Sequence, residues 1–285
     1  MRTCRSLVDF DEWRADAGAV AFVPTMGFLH EGHLALVRRA RETGAPVVAS
    51  IFVNPLQFGP EEDFEVYPRD EAQDAKLLEG EGCDVLLLPT VEDFYPRGFA
   101  TRVSVGGALT ERLCGATRPG HFDGVATVVT RLFRIVRPRW AVFGAKDYQQ
   151  LLVVRRLVDD LRLDVEVIGH EIVREADGLA LSSRNVHLSP SERDEALWIQ
   201  RALMHAATLV DEGETRVSTL EDALRGELAR AQGVRPHYVN ILGADDLEPL
   251  TCVDRPVVMA IAAFVGQARL IDNRVLCPPG WGDRA

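Results

Sequence analysis

Short apolar runs that end in Pro or Gly, each followed by apolar positions at helical spacing, recur along the first part of the chain. Residues 19–23 run into Pro24 and Gly27, after which Leu34, Leu36 and Val37 take up helical spacing and Gly44 supplies a stop. Residues 47–53 form a second run, and a helix is predicted over about residues 70–79 before a third run at 84–89. An amphipathic helix through Val128, Val129, Leu132, Phe133 and Val136 halts before Pro138; residues 140–144 then form a fourth run, a helix opens at 145–150, and 165–168 form a fifth. Strands apolar throughout are buried on both faces, and strand alternating with helix predicts a parallel sheet with right-handed crossovers.

The texture changes near residues 178–186. Ser189, Pro190 and Glu192 are placed as N-cap, first turn and capping-box partner of a helix reaching about Val210. A second helix is predicted from about 218 to 231, then a short apolar stretch at 238–242. Two strands, 257–265 and 268–276, meet in a hairpin at Gly266-Gln267. The expected fold is therefore α/β over residues 1–180, with a smaller C-terminal α+β lid domain over 181–285.

Composition narrows the class. Hydrophobic residues are 47% and charged residues 26% of the 285, an ordinary globular balance. A net charge of -11 argues against a nucleic-acid or membrane surface, so a phosphate ligand would need a local cluster of donors. The five cysteines are scattered with no C-x-x-C pair, which points to a reducing cytoplasm rather than a disulfide framework or zinc ribbon. The first 14 residues lack a signal-peptide core, and no segment approaches the roughly 18 apolar residues of a membrane span.

The candidate chemistry collects where strands run into helices, the end of an open α/β sheet at which ligands bind. His30 and His33 flank Gly32 at a helix start, whose backbone N–H groups and dipole favour an anion. The plainer alternative is that both rings only cap the helix. A zinc metalloprotease needs H-E-x-x-H, one residue more than this spacing, and neither a Walker A sequence nor G-x-G-x-x-G follows the strand. Asn54 and Gln57 leave the second strand toward the same end, Gln57 as a cleft amide or as a solvated loop residue, and the acidic run 61–63 reads as a solvated helix start. Arg118 and His121 precede another helix, in anion geometry or as a structural turn. Lys146 and Asp147 follow Gly144 and suit a phosphate and a ribose hydroxyl or magnesium-bound water, with Asp147 equally an N-cap. Ser182, Ser183 and Arg184 place two hydroxyls and a guanidinium together, as phosphate donors or as a polar linker.

Taken in order, Pro24-Thr25-Met26-Gly27 with His30-Glu31-Gly32-His33, Phe52–Phe58, Arg118–Phe122, Phe143–Gln150, Leu181–Asn185 and Arg269–Asn273 resemble the pantothenate synthetase (pantoate–β-alanine ligase) family of the nucleotidyltransferase superfamily. The His-x-Gly-His piece gives only the superfamily; Asn-Pro-Leu-Gln-Phe and Lys-Asp-Tyr-Gln-Gln are more specific. The resemblance implies a Rossmann-like domain and ATP-dependent ligation through pantoyl adenylate. ATP would be bound by Met26, Gly27, Phe28, Leu29, His30, Glu31, Gly32, His33, Gly144, Ala145, Lys146, Asp147, Val173, Leu181, Ser182, Ser183 and Arg184. It makes His33 a proton donor assisting pyrophosphate departure, with His30, Lys146 and Arg184 as its catalytic companions, and Gln57 and Gln150 the pantoate-binding amides. Mg2+ would travel with the ATP phosphates and without a protein cage, and a cytoplasmic homodimer is implied. Ala145 departs from the polar residue usual in the family. Other adenylyltransferases and a non-catalytic nucleotide sensor are the alternatives.

Overall fold

The alternation of apolar runs and helices is realised as a single winding pattern. A computed structural model describes residues 1–60, 62 and 64–278. The first part contains β1 (Arg2–Cys4), α1 (Leu7–Asp16), β2 (Ala21–Thr25), α2 (Glu31–Arg41), β3 (Val47–Ile51), α3 (Glu71–Gly80) and β4 (Val85–Leu87). Three short helices, α4 (Val91–Phe94), α5 (Ala108–Glu111) and α6 (Leu113–Thr117), lead to α7 (His121–Val136), β5 (Trp140–Gly144), α8 (Tyr148–Asp160) and β6 (Glu166–His170). Among the described residues these six strands form one parallel sheet in the order β1-β4-β3-β2-β5-β6. The winding builds outward from β2 through β3 and β4 on one side and from β5 to β6 on the other. The topological switch point, where such sheets bind ligands, therefore lies at the carboxyl ends of β2 and β5. Ala21, Val23, Val47, Ala49, Leu86 and Val142 fill one buried cluster with Leu36, Val37 and Ala40 of α2, which fixes the helix that leaves β2.

The remaining elements are α9 (Pro190–Asp211), α10 (Val217–Leu228), β7 (Val234–Gly243), β8 (Val257–Val265) and β9 (Ala268–Leu276). The three strands are antiparallel, and one sheet face packs with α9 and α10 around Leu203, Leu220, Leu224, Ile241, Met259 and Ile261. Ser189 caps α9 with the predicted Pro190 and Glu192 partners. Backbone packing divides the chain into two compact units: the first comprises Met1–Thr110, Cys114–Ala145 and Gln149–Ile172, the second Glu111–Leu113, Lys146–Tyr148 and the described residues from Val173 onward.

Several elements depart from the apolar pattern for identifiable reasons. β1 buries only Cys4 and is defined by pairing with β4, a partner remote in sequence. α1 shows no apolar stripe because one of its two buried residues is Arg14, whose guanidinium donates to Val136 O (2.6 Å), Ala17 O (2.5 Å) and Arg137 O (2.9 Å). Burial lowers the Arg14 pKa, and the three carbonyls are what make the burial tolerable. The stretch read at 238–242 is the end of a longer strand whose alternation is interrupted by a bulge between Pro236 and Tyr238. In the acidic run, Glu62 opens no helix but accepts an ion pair from Arg118; Glu61 and Asp63 lie outside the described residues.

One close approach fixes the loop after β3. The 3-10 turn Pro55–Gln57 packs on α7 at Gly124, where an added Cβ would lie 2.3 Å from Leu56 O and 2.6 Å from Gln57 Cα. Backbone atoms held on both sides leave no room for a methyl group. Gly124→Ala is therefore expected to destabilise the fold by about 1–3 kcal/mol, the cost of overpacking, measured by urea unfolding; unchanged stability would show that the loop yields freely.

Candidate active site

The turn from β2 into α2 is built on left-handed backbone. Gly27 has φ 84° and Phe28 φ 51°, so successive N–H groups point the same way and need an acceptor. Asp74 of α3, 2% exposed, supplies it: Oδ2 accepts from Phe28 N and Oδ1 from Leu29 N, both at 2.7 Å. Burial pushes the Asp74 carboxyl up, against the pull of those two N–H groups. A Cβ at Gly27 would lie 2.9 Å from Ile51 Cγ2 and 3.0 Å from Asp74 Oδ2, so side-chain bulk as well as positive φ selects glycine.

His30 is the N-cap of α2. Its Nδ1 accepts from Gly32 N at 3.1 Å, while Nδ1 of His33 accepts from His30 N at 3.3 Å, forming a reciprocal capping box with ring centroids 4.1 Å apart. His33 N also donates to His30 O at 2.8 Å. The plainer alternative, capping, is thus a fact of the structure, and it changes the anion argument. The Gly32 and His33 N–H groups are already engaged within the cap, so neither meets an anion without breaking it. With Nδ1 accepting, the ring hydrogen of each histidine is assigned to Nε2.

Gln57 is held in an amide network whose orientation is determined. Asn54, 1% exposed, accepts at Oδ1 from Tyr95 Oη (2.8 Å) and Leu56 N (3.3 Å), and donates from Nδ2 to Gly124 O (3.1 Å) and Gln57 Oε1 (3.0 Å). Gln57 Oε1 is thereby an acceptor, and Nε2 faces Met26 Sδ at 3.3 Å. Burial pushes the Tyr95 hydroxyl up to about 12 despite Arg131 and Arg102, which keeps it a donor. Below this network, His121 Nδ1 donates to Gln57 O (2.8 Å), leaving Nε2 to accept from Arg118 Nη1 (3.1 Å). Glu62 takes Arg118 Nε and Nη2 at 2.6 and 2.7 Å. Burial raises the Glu62 pKa, but the Arg118 pair outweighs it and holds the carboxyl below its ordinary range. Arg118 and His121, read as either anion donors or a turn, thus support the Gln57 backbone. Of the adjacent glutamines, Gln149 is spent on structure, accepting from Cys114 N and donating to Leu109 O, whereas Gln150 stands half-buried in the first turn of α8.

In the second unit, Lys146 Nζ stands 3.8 Å from Asp147 Oδ2, and Asn273 Nδ2 donates to Lys146 O at 2.9 Å. Val173 and Leu181 face each other across a hairpin turned at Asp177-Gly178, with Leu181 N donating to Val173 O. The hairpin delivers Ser182, which caps a 3-10 turn by accepting from Arg184 N, and Ser183, which is buried. Within the first unit the structure pairs Met26 with Gln57 and His30 with His33, in the segments that leave β2 and β3; within the second it groups Lys146 with Asp147 and, separately along the chain, Val173 with Leu181 at the start of the 181–184 segment. Asp74 and Tyr95 escape a reading of the sequence because a helix aspartate reads as a solvated face and a lone tyrosine before Pro96 as a loop residue; only the glycine at position 27 gives a hint.

A parallel sheet with helices between its strands, and a histidine-capped helix start at its switch point, defines an α/β protein with its ligand end at the carboxyl ends of β2 and β5. The profile of the Pantoate-beta-alanine ligase family matches residues 1–275, and the chain belongs to that family. Pantothenate synthetase of Thermotoga petrophila is 53% identical over 266 residues, 93% of this chain and 95% of its own length. The crystal structure of pantothenate synthetase from Thermus thermophilus superposes with a TM-score of 0.93 at 50% identity, covering 98% of this chain and 100% of its own. Pantoate-beta-alanine ligase from Francisella tularensis, solved in complex with beta-gamma ATP and beta-alanine, gives 0.80 at 31% identity, with 96% and 97% covered. The chain is accordingly an ATP-dependent, AMP-forming ligase that joins pantoate to β-alanine through an acyl adenylate.

Asp74→Ala takes the acceptor from two half-buried N–H groups and is expected to destabilise the fold by about 1–3 kcal/mol while slowing adenylation. Asp74→Asn, with one acceptor for two donors, should fall between; urea unfolding and pyrophosphate release measure both, and an unaffected Asp74→Ala would show that the turn holds itself.

Proposed function

We propose that the two chemical steps are carried by the ring donors of His30 and His33, by Lys146, Ser182, Ser183 and Arg184 as phosphate donors, and by Gln57 and Gln150 as pantoate amides. In the first step a pantoate carboxylate oxygen attacks the α-phosphorus, the new O–P bond forms as the bond to the bridging oxygen breaks, and pyrophosphate leaves. In the second the β-alanine amine attacks the acyl carbon, the C–N bond replaces the C–O bond, the nitrogen loses a proton and AMP departs. Charge gathers on phosphate oxygens, so positioned donors do most of the work.

The observation that carries this reading is the reciprocal histidine cap. A ring that accepts a backbone N–H at Nδ1 gives up that bond if it becomes imidazolium, so the cap favours two neutral rings with hydrogen at Nε2. His33 then acts as a hydrogen-bond donor to charge developing on the departing pyrophosphate, and full proton transfer, which would leave an imidazolate, is unnecessary because pyrophosphate leaves without it. Gln57 contributes an Nε2 donor whose direction Asn54 and Tyr95 determine, and a neutral amide binds a carboxylate without the ion pair that would blunt its nucleophilicity. Met26, Gly27, Phe28, Leu29, Glu31, Gly32, Gly144, Ala145, Asp147, Val173 and Leu181 complete the nucleotide contacts in this reading.

Mg2+ enters as part of the substrate, on the ATP phosphates. The exposed carboxylate of Asp147 suits a water of such an ion, and the described residues contain no group of three or more His, Cys, Asp or Glu that could hold one directly. We take residue 180 as the working boundary between domains and the active form as a cytoplasmic homodimer, for which sedimentation of the purified protein is the check on assembly.

His33→Ala is expected to slow adenylation by about two orders of magnitude with the fold retained, read by pyrophosphate release from MgATP and pantoate. A folded variant with parental turnover would remove the ring from the mechanism. Gln57→Ala and Gln150→Ala are each expected to weaken pantoate use by about 1–3 kcal/mol with less effect on ATP. Loss confined to ATP affinity would move these amides to the nucleotide site. For the parent, pyrophosphate release without β-alanine should stop after the first turnover, while AMP release should require the amine from the outset; steady AMP without the amine would contradict the two-step course.

A further inference from the structure

The Arg269–Asn273 segment stands out in the sequence yet has no part in the chemistry above. The segment lies on β9, and its last two residues are both buried, Asp272 at 5% and Asn273 at 6% exposure. Adjacent residues of a strand project to opposite faces. Asp272 shares the parity of Ala268 and Leu270, which pack with α9 and α10, and its carboxylate takes Arg174 in a fork: Nη1 to Oδ2 at 2.7 Å and Nη2 to Oδ1 at 2.9 Å. Asn273, on the other parity, donates from Nδ2 to Lys146 O at 2.9 Å.

Each contact reaches a segment that carries phosphate donors. Arg174 also donates to Gly178 O (3.0 Å) and bridges Ala180 across the hairpin whose end is Ser182-Ser183-Arg184. That hairpin is tied again where Asn185 donates to Glu175 Oε1 and Ala180 O, and where Arg193 pairs with Glu175 and Asp177. The Lys146 segment is held at two points: Asn273 at the Lys146 carbonyl, and Tyr148 Oη donating to Ala244 O at 2.8 Å. All these residues lie within the second unit. Two segments remote from each other in sequence are thus referred to neighbouring residues of one strand of the antiparallel sheet.

We propose that Asp272 and Asn273 are positioning residues for adenylation, fixing the spacing between Lys146 and the Ser182–Arg184 loop from the two faces of β9. The inference rests on the phosphate roles proposed above for Lys146 and Arg184. A strand is stiffer than the loops it holds, so donors referred to it keep one separation as charge moves onto pyrophosphate. A displacement of about 1 Å in such a constellation costs on the order of 100-fold in rate.

The test uses the full-length chain and single-turnover pyrophosphate release, with Michaelis constants for ATP and pantoate and thermal unfolding measured on each variant. Asn273→Ala is expected to slow adenylation at saturating ATP by about tenfold or more, with the pantoate constant held within about twofold. Asn273→Ser, which restores a short donor, should recover part of the rate, and Arg174→Lys, which keeps the charge but loses the fork, should slow it several-fold. Lys146→Ala runs beside them as the control on the site. Should Asn273→Ala not fold, Asn273→Ser and Arg174→Lys supply the comparison. Rates within about twofold of the parent in the folded variants, or losses that merely track the folded fraction, while Lys146→Ala is strongly impaired, would overturn the positioning role and leave the pair structural. A Lys146→Ala protein with parental adenylation would instead overturn the assignment of the site, and the proposal with it.

Discussion

Everything at the β2 end turns on who accepts the N–H groups of a left-handed turn and a helix start. An amide hydrogen withdrawn from water without an acceptor is costly, and here four side chains meet the demand. Thr25 takes Gly27, Asp74 takes Phe28 and Leu29, His30 takes Gly32, and His33 takes His30. The aspartate accepts with both oxygens and is consumed by the task. The histidines accept with one ring nitrogen each and thereby acquire a defined donor on the other. The structural bond at Nδ1 thereby sets the tautomer of each ring, and on the proposed mechanism the donor it leaves at Nε2 is defined before any ligand arrives, which is the condition for electrostatic stabilisation without reorganisation.

The amide side of the site follows the same logic with neutral groups. An isolated glutamine amide flips at little cost, and its two ends are opposite in hydrogen-bonding sense. Here Tyr95 and Leu56 settle Asn54, and Asn54 settles Gln57, so a hydroxyl with a pKa raised by burial helps decide which end of the proposed pantoate amide donates. Arg118, a cation held against the same loop, is bound by both Glu62 oxygens and by His121, and its charge goes into supporting that loop.

The strand–helix alternation, the change of texture near residue 180 and the His-x-Gly-His turn are legible in the sequence because each is a local signal, periodicity or a short motif. β1 and α1 are invisible for the opposite reason: one exists through a partner more than 80 positions away, the other buries an arginine where a stripe of leucines would announce a helix. Asp74 and Tyr95 are illegible in kind. Their roles are set by which carbonyls, amides and N–H groups the fold brings to them, and nothing within a few residues of either distinguishes them from solvated neighbours. The choice of Gln150 over Gln149 comes from resemblance to a family, and the structure supplies a physical ground for it by committing the Gln149 amide at both ends.

An acidic chain that binds a polyanion faces a problem of charge, since a net -11 repels ATP at long range. Many of its guanidinium groups are committed to carboxylates, among them Arg38 to Glu81, Arg118 to Glu62, Arg174 to Asp272 and Arg193 to Glu175 and Asp177. Those pairs hold loops and hairpins in place. The proposed phosphate donors are accordingly mostly uncharged: two imidazole N–H groups and two serine hydroxyls, with Lys146 and Arg184 as the cations. Neutral donors gain little from long-range attraction and depend on being aimed, because a hydrogen bond weakens steeply with misdirection whereas a bare charge does not. Donors of this kind must be held rigidly, and on the proposed reading that is the work of buried side chains within each unit: Asp74 behind the histidines in the first, and Asp272 with Asn273 behind the lysine and the serines in the second.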